Sequence, residues 1–134
     1  MNGSSLFNKF SRGGRTMNRQ ELIDFCLAMP AAYEDYPFDV VSDENATTVM
    51  RHRVNKKIFA LIMCLDGKLC LNLKCDPFEA EFLRQAFKDV IPGWHMNKQH
   101  LNTVIMDGDV SDDMIKQMIE NSFDLIKPKE KKRE

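Results

Sequence analysis

The densest gathering of chemically useful side chains lies between Trp94 and Asn102, where an aromatic ring, two histidines, three amides and a lysine share one short stretch. Lys98 can meet a phosphate, and Asn97, Gln99 or Asn102 can hydrogen-bond a base edge or a peptide backbone. His95 and His100 add ring nitrogens that donate or accept. A competing reading is purely local: His95 and Asn97 tie down the loop's own backbone amides, as short polar side chains do in turns. A metal site built on His52, His95 and His100 fits poorly, because His95 and His100 do not have the i, i+4 spacing of a helical ligand pair and no Cys-x-x-Cys stands nearby.

A second group depends on strand alternation. If Thr47–Val54 is a strand and Asn55-Lys56-Lys57 a three-residue turn, then Met50, His52 and Val54 face the core. Arg51, Arg53, Phe59, Asn72 and Lys74 then share the other face. Cations beside an aromatic ring on a sheet suit a nucleic-acid strand, through phosphate neutralisation and base stacking. The plainer reading of that face is a solvated surface with Leu61 and Met63 partly covered.

The chain contains no GxSxG, Walker loop, HExxH or GxGxxG pattern. The expectation is a binding protein without catalysis, cofactor or metal. Cys26, Cys64, Cys70 and Cys75 sit inside hydrophobic patterns and read as buried thiols rather than disulfides.

The elements that position these residues are legible in outline. Asn18 and Glu21 form a capping-box pair, followed by Leu22, Phe25, Cys26 and Met29 on one helical face, and Pro30 stops the helix. Ala31 to Asp39 reads as a loop. Lys57–Leu65 and Lys68–Cys75 flank Asp66-Gly67, a strong hairpin signal. A two-residue turn there pairs Cys64 with Leu69, Ile62 with Leu71, Ala60 with Leu73 and Ile58 with Cys75, all on the core face. Asp76-Pro77 starts a second helix whose expected buried stripe is Phe78, Phe82, Leu83 and Ala86. Thr103–Met106 reads as a strand, with a short partner near Trp94–Met96. Ser111 caps a last helix that turns Ile115, Met118, Ile119, Ser122 and Ile126 inward.

With 134 residues, 43% hydrophobic and 29% charged, the chain suits one domain with its own core. No apolar run approaches the roughly 20 residues of a membrane span, and no secretory signal is apparent, so a cytoplasmic location is expected. Residues 1–16 read as a flexible basic leader, 17–126 as the domain, and 127–134 as a basic disordered tail. Each end carries +3, and the net charge of −1 therefore leaves −7 on the domain. A body that acidic is not the footprint of a strong, non-specific nucleic-acid binder.

The chain resembles the MmcQ/YjbR family. The resemblance rests on Leu27-Ala28-Met29-Pro30-Ala31-Ala32-Tyr33-Glu34-Asp35-Tyr36-Pro37-Phe38, Lys57-Ile58-Phe59-Ala60, Leu73-Lys74-Cys75-Asp76-Pro77, Asp107-Gly108 and Ser122-Phe123. Its most specific part is Pro92-Gly93-Trp94-His95-Met96-Asn97-Lys98-Gln99-His100, after which Leu101 stands where the family pattern usually has Trp. The resemblance implies a two-layer α+β domain, α-β3-α-β2-α with an antiparallel sheet, related in shape to type III secretion chaperones. It also implies a DNA-binding-like protein, which makes a regulatory DNA-binding module the first functional expectation. The second is a protein- or peptide-binding adaptor or homodimer. Neither involves a membrane.

Overall fold

Asn18 opens the first helix as expected. Its side chain accepts a hydrogen bond from the Glu21 backbone N–H at 2.9 Å, and the Glu21 carboxylate accepts one from the Asn18 N–H at 2.9 Å. This reciprocal box satisfies two of the amides that a helix start leaves orphaned. The computed structural model describes residues 16–38, 46–93 and 99–129. Within them the order is α1 (Arg19–Leu27), β1 (Ala32–Asp35), β2 (Thr48–His52), β3 (Ile58–Leu65), β4 (Lys68–Lys74), α2 (Pro77–Ala86), β5 (Val90–Pro92), β6 (Leu101–Ile105) and α3 (Asp112–Ile126).

The strands form one antiparallel sheet in the order β1-β2-β3-β4-β6-β5. Asp66 and Gly67, with φ of 51° and 77°, make the tight turn between β3 and β4, and positive φ at both positions matches the right-handed twist of the strands. The register pairs Cys64 with Leu69, Ile62 with Leu71 and Ala60 with Leu73, as the sequence indicates. Met50, Ala60, Ile62, Leu71, Leu73 and Val104 on one sheet face meet Leu22 and Cys26 of α1 and Ile115, Ile119 and Phe123 of α3 in a single core. The architecture is α+β: α1 packs on β1–β3, α3 on β3 and β4, and α2 on β5 and β6. No helix among the described residues is long and apolar enough to cross a membrane.

Four local expectations are corrected. First, the segment after Pro30 contributes a strand, so four strands rather than three precede α2. β1 pairs residue for residue with β2, from Ala32 opposite His52 to Asp35 opposite Val49. Its Ala-Tyr-Glu-Asp sequence has weak strand propensity, and pairing with the edge of β2 supplies what propensity lacks. Second, Val90–Pro92 forms a short strand that pairs with β6 opposite β4, while Trp94–Met96, the expected partner, lies outside the described residues.

Third, α2 buries Ala80 and Leu83, whereas Phe78 and Phe82 are 87% and 66% exposed. A polar clamp sets this rotation. Arg84 Nε donates to Asn102 Oδ1 at 2.7 Å, Arg84 Nη2 to the Leu101 carbonyl at 3.2 Å, and Asn102 Nδ2 to the Ala80 carbonyl at 3.3 Å. Those bonds turn the Ala80–Arg84 face toward β6 and send the two rings outward.

Fourth, β3 does not alternate cleanly. Met50 pairs with Ala60 but Arg51 pairs with Ile58, leaving Phe59 as the extra residue of a β-bulge. Phe59 therefore turns to the core, 1% exposed and edge-on to Phe123 at 5.1 Å between ring centroids. Ile58 turns to the other face instead of pairing with Cys75.

Candidate functional site

The bulge is what shapes the second face of the sheet. There, Ile58 lies opposite Arg51, and with Leu61, Asn72, Lys74 and Leu101 it lines a cleft of about 350 Å³. Lys56 and Lys57, at the end of the β2–β3 connection, complete the rim. That connection is longer than expected. His52 N–H donates to the Lys57 carbonyl at 3.1 Å and Lys56 N–H to the His52 carbonyl at 2.8 Å, so the turn is 53–56 rather than 55–57. Lys56 adopts φ 63° within it.

Each wall is anchored. Arg51 Nε donates to Asp35 Oδ2 at 2.8 Å, and its Nη1 donates to the Lys56 carbonyl at 2.9 Å. The guanidinium is thus fixed between β1 and the turn rather than sweeping solvent. Asn55 holds the turn from both sides: its Oδ1 accepts from Lys57 N–H at 3.0 Å, and its Nδ2 donates to the Ile126 carbonyl at the end of α3 at 2.8 Å. Ser122 of α3 serves the bulge itself. Its hydroxyl donates to the Phe59 carbonyl at 2.6 Å and accepts from Lys74 N–H at 2.9 Å. One buried hydroxyl therefore satisfies backbone groups on both β3 and β4 where the ladder is interrupted. Thr103 donates to Asn72 across β4 and β6.

Arg51, Lys56, Lys57 and Lys74 give the cleft a cationic rim over a floor of Ile58, Leu61 and Leu101. Among the described residues no carboxylate forms an ion pair with Lys56, Lys57 or Lys74. The second face is not a bare polar surface: Val49, Leu61, Cys70, Asn72 and Thr103 on it are all buried. Two of the thiols offer little nucleophilic character. Burial pushes Cys26 up to about 12, and burial followed by the charges of Glu79 and Asp76 pushes Cys75 up to about 11. No disulfide joins the four cysteines, and no cluster of His, Cys, Asp or Glu suited to a metal occurs among the described residues.

The sequence-derived candidates separate. Arg51 and Lys74 meet in the cleft, and Phe59 borders it with its ring committed to the core. Arg53 lies in the turn, its guanidinium 5.6 Å from the Tyr33 ring centroid. His100 is exposed and contributes its carbonyl to Cys75 N–H at 2.8 Å. Asn102 is 1% exposed with its amide used by α2. His95, Asn97 and Lys98 lie outside the described residues. Sequence reasoning missed Lys56, Lys57 and Ile58 as rim and floor, and Ser122 as the bulge clamp. The available signal was the Asn-Lys-Lys run after a strand.

Comparison with known proteins agrees with this fold. The YjbR family model matches residues 27–125. "Uncharacterized protein YjbR" of Escherichia coli (strain K12) is 34% identical over 107 residues, covering 80% of this chain and 85% of that protein. "Uncharacterized protein YyaQ" of Bacillus subtilis (strain 168) is 34% identical over 121 residues, 83% of this chain and 99% of the relative. A crystal structure from Pseudomonas syringae aligns with a TM-score of 0.71 at 31% identity, over 83% of this chain and all of that one. A Deinococcus radiodurans structure with a DUF419 domain aligns at 0.69 with 32% identity, over 80% of this chain and 76% of that one. The chain belongs to the YjbR family.

Proposed function

We propose that the protein is a nucleic-acid-binding module, regulatory rather than catalytic, that holds DNA at the cleft between the β2–β3 turn and β4. The observation that carries this reading is the convergence of Arg51, Lys56, Lys57 and Lys74 on one concavity of a domain whose overall balance is acidic. Phosphate contacts by such groups release counterions and make binding salt-dependent. Arg51 is already paired with Asp35, so about three cations contribute, and the logarithm of affinity should fall with the logarithm of salt with a slope of about −2 to −3. An NMR titration with mixed-sequence DNA at two salt concentrations tests this. Shifts are expected at Arg51, Lys56–Ile58 and Lys74, fading with salt, and Lys74→Ala should reduce the slope by about one. Absence of shifts at high protein concentration would remove the proposal.

One observation favours the second reading, an adaptor that binds a protein or a second copy of itself. Phe78 and Phe82 stand on the solvent side of α2, where two large rings serve no packing purpose. Replacing both with serine should change stability by no more than about 0.5 kcal/mol in chemical denaturation, as for other surface sites. A loss of several kcal/mol would mean that the rings are buried. In sedimentation, self-association that this double variant abolishes would support the homodimer form; a monomer in both proteins would discard it.

A further inference from the structure

The cleft's shape and charge say more than that an anion binds. We infer that it accepts one unpaired nucleotide, so that the protein prefers single strands to duplex; this rests on the nucleic-acid reading above and adds the form of the ligand.

Shape is the first argument. About 350 Å³ lies near the lower end of the range for small-ligand sites, roughly 300–1,000 Å³. Such a concavity receives a nucleotide, whereas a duplex would rest across its mouth. Duplex sequence is read by an element that protrudes into a groove, most often a helix in a major groove about 12 Å wide. Here every described lining residue comes from β2, β3, β4, β6 or the connection before β3. The described helices pack on the other face, so among the described residues none stands beside the cleft to enter a groove.

Charge placement is the second. Arg51, Lys56 and Lys57 lie on the β2 side of β3, and Lys74 lies on β4 beyond it. The rims are therefore two strand spacings apart, roughly 9.5 Å, with Ile58 and Leu61 between them and Leu101 paired to Lys74 on the far side. A base face can lie on that aliphatic floor while its flanking phosphates meet the lysines. On the β1 side Asp35, which pairs with Val49 on the same face as the cleft, holds Arg51 at 2.8 Å. A duplex brings a second phosphate backbone, which would extend past the rim toward that carboxylate. A single strand brings one and can stay within it. The floor is aliphatic because Phe59 is in the core, so base contact is sequence-tolerant and weaker than on aromatic platforms.

The test compares fluorescence anisotropy of one labelled mixed-sequence oligonucleotide as a single strand and annealed to its complement, with the full chain at fixed salt. The same nucleotides as free monophosphates compete in a further arm. The single strand should bind at least tenfold tighter than the duplex. Lys57→Glu, a change at an exposed side chain that folding tolerates, should weaken single-strand binding by about tenfold. Equal or tighter duplex binding overturns the single-strand preference and leaves the nucleic-acid reading standing. Single-strand affinity unchanged by both Lys57→Glu and Lys74→Gln moves the site elsewhere and overturns this cleft as its seat. Competition by monophosphates at equal concentration per nucleotide points to a free nucleotide rather than a strand and overturns the inference. No binding by either form removes both readings.

Discussion

Phe59→Ala should destabilise the protein by about 3–5 kcal/mol, the cost of deleting a buried ring and leaving its cavity. The ring is 1% exposed and meets Phe123 edge-on, and Phe123 is also stacked by His52 at 5.6 Å between centroids. Removing Phe59 therefore strips contacts from α3 and leaves His52 on a loosened neighbour. A Phe59 that followed simple alternation would point into the open cleft, and its removal would leave no closed cavity and cost about 1 kcal/mol or less. Urea denaturation separates the two outcomes. A midpoint shift with unchanged m-value is the expected form, and a loss under about 1 kcal/mol would place the ring outside the core.

Asn102→Leu ranks second, with an expected loss of about 2–4 kcal/mol. The substitution keeps volume but strips a buried acceptor from Arg84 and a donor from the Ala80 carbonyl. Leaving a partly buried guanidinium short of a partner costs more than a neutral bond is worth. The effect should be smaller once the partner is removed too, so Arg84→Met in the Asn102→Leu background should cost less than the sum of the single changes. Thermal melts of the three variants check this. If Asn102 acted on ligand instead, the single variant would melt normally and bind poorly.

These two residues show where sequence reading stops. The hairpin was legible because Asp66-Gly67 fixes its own turn and the two strands alternate in step. The three helix starts were legible because caps are local chemistry: Asn18, Asp76 and Ser111 each receive the expected backbone N–H. The bulge was not, because nothing within Lys57-Ile58-Phe59-Ala60 says that one residue is supernumerary; that depends on how β2 lies against β3. Phe59 thus went to the wrong face, and Ile58 with it. The face of α2 misled for a similar reason. Phe78 and Phe82 form the more hydrophobic stripe, but the Arg84–Asn102 clamp, made across 18 residues of sequence, outweighs it. Arg51 and Lys74 were placed correctly because each follows a regular stretch of strand. Lys56 and Lys57 were read as turn residues, and only the fold brings them over the same floor.

The ends of the sheet have a bearing on solubility. An open sheet leaves two strands with unused backbone donors and acceptors, ready to recruit another chain. Here one outer strand, β5, is only Val90-Ile91-Pro92, and its proline has no amide hydrogen to offer. The other, β1, is four residues long and ends in Glu34 and Asp35. A second molecule adding at that side would set its own acids against these, at a cost in charge repulsion. Shortness, a proline and paired carboxylates thus guard both borders against runaway strand addition, while the sheet keeps one broad face for its helices and a cleft on the other.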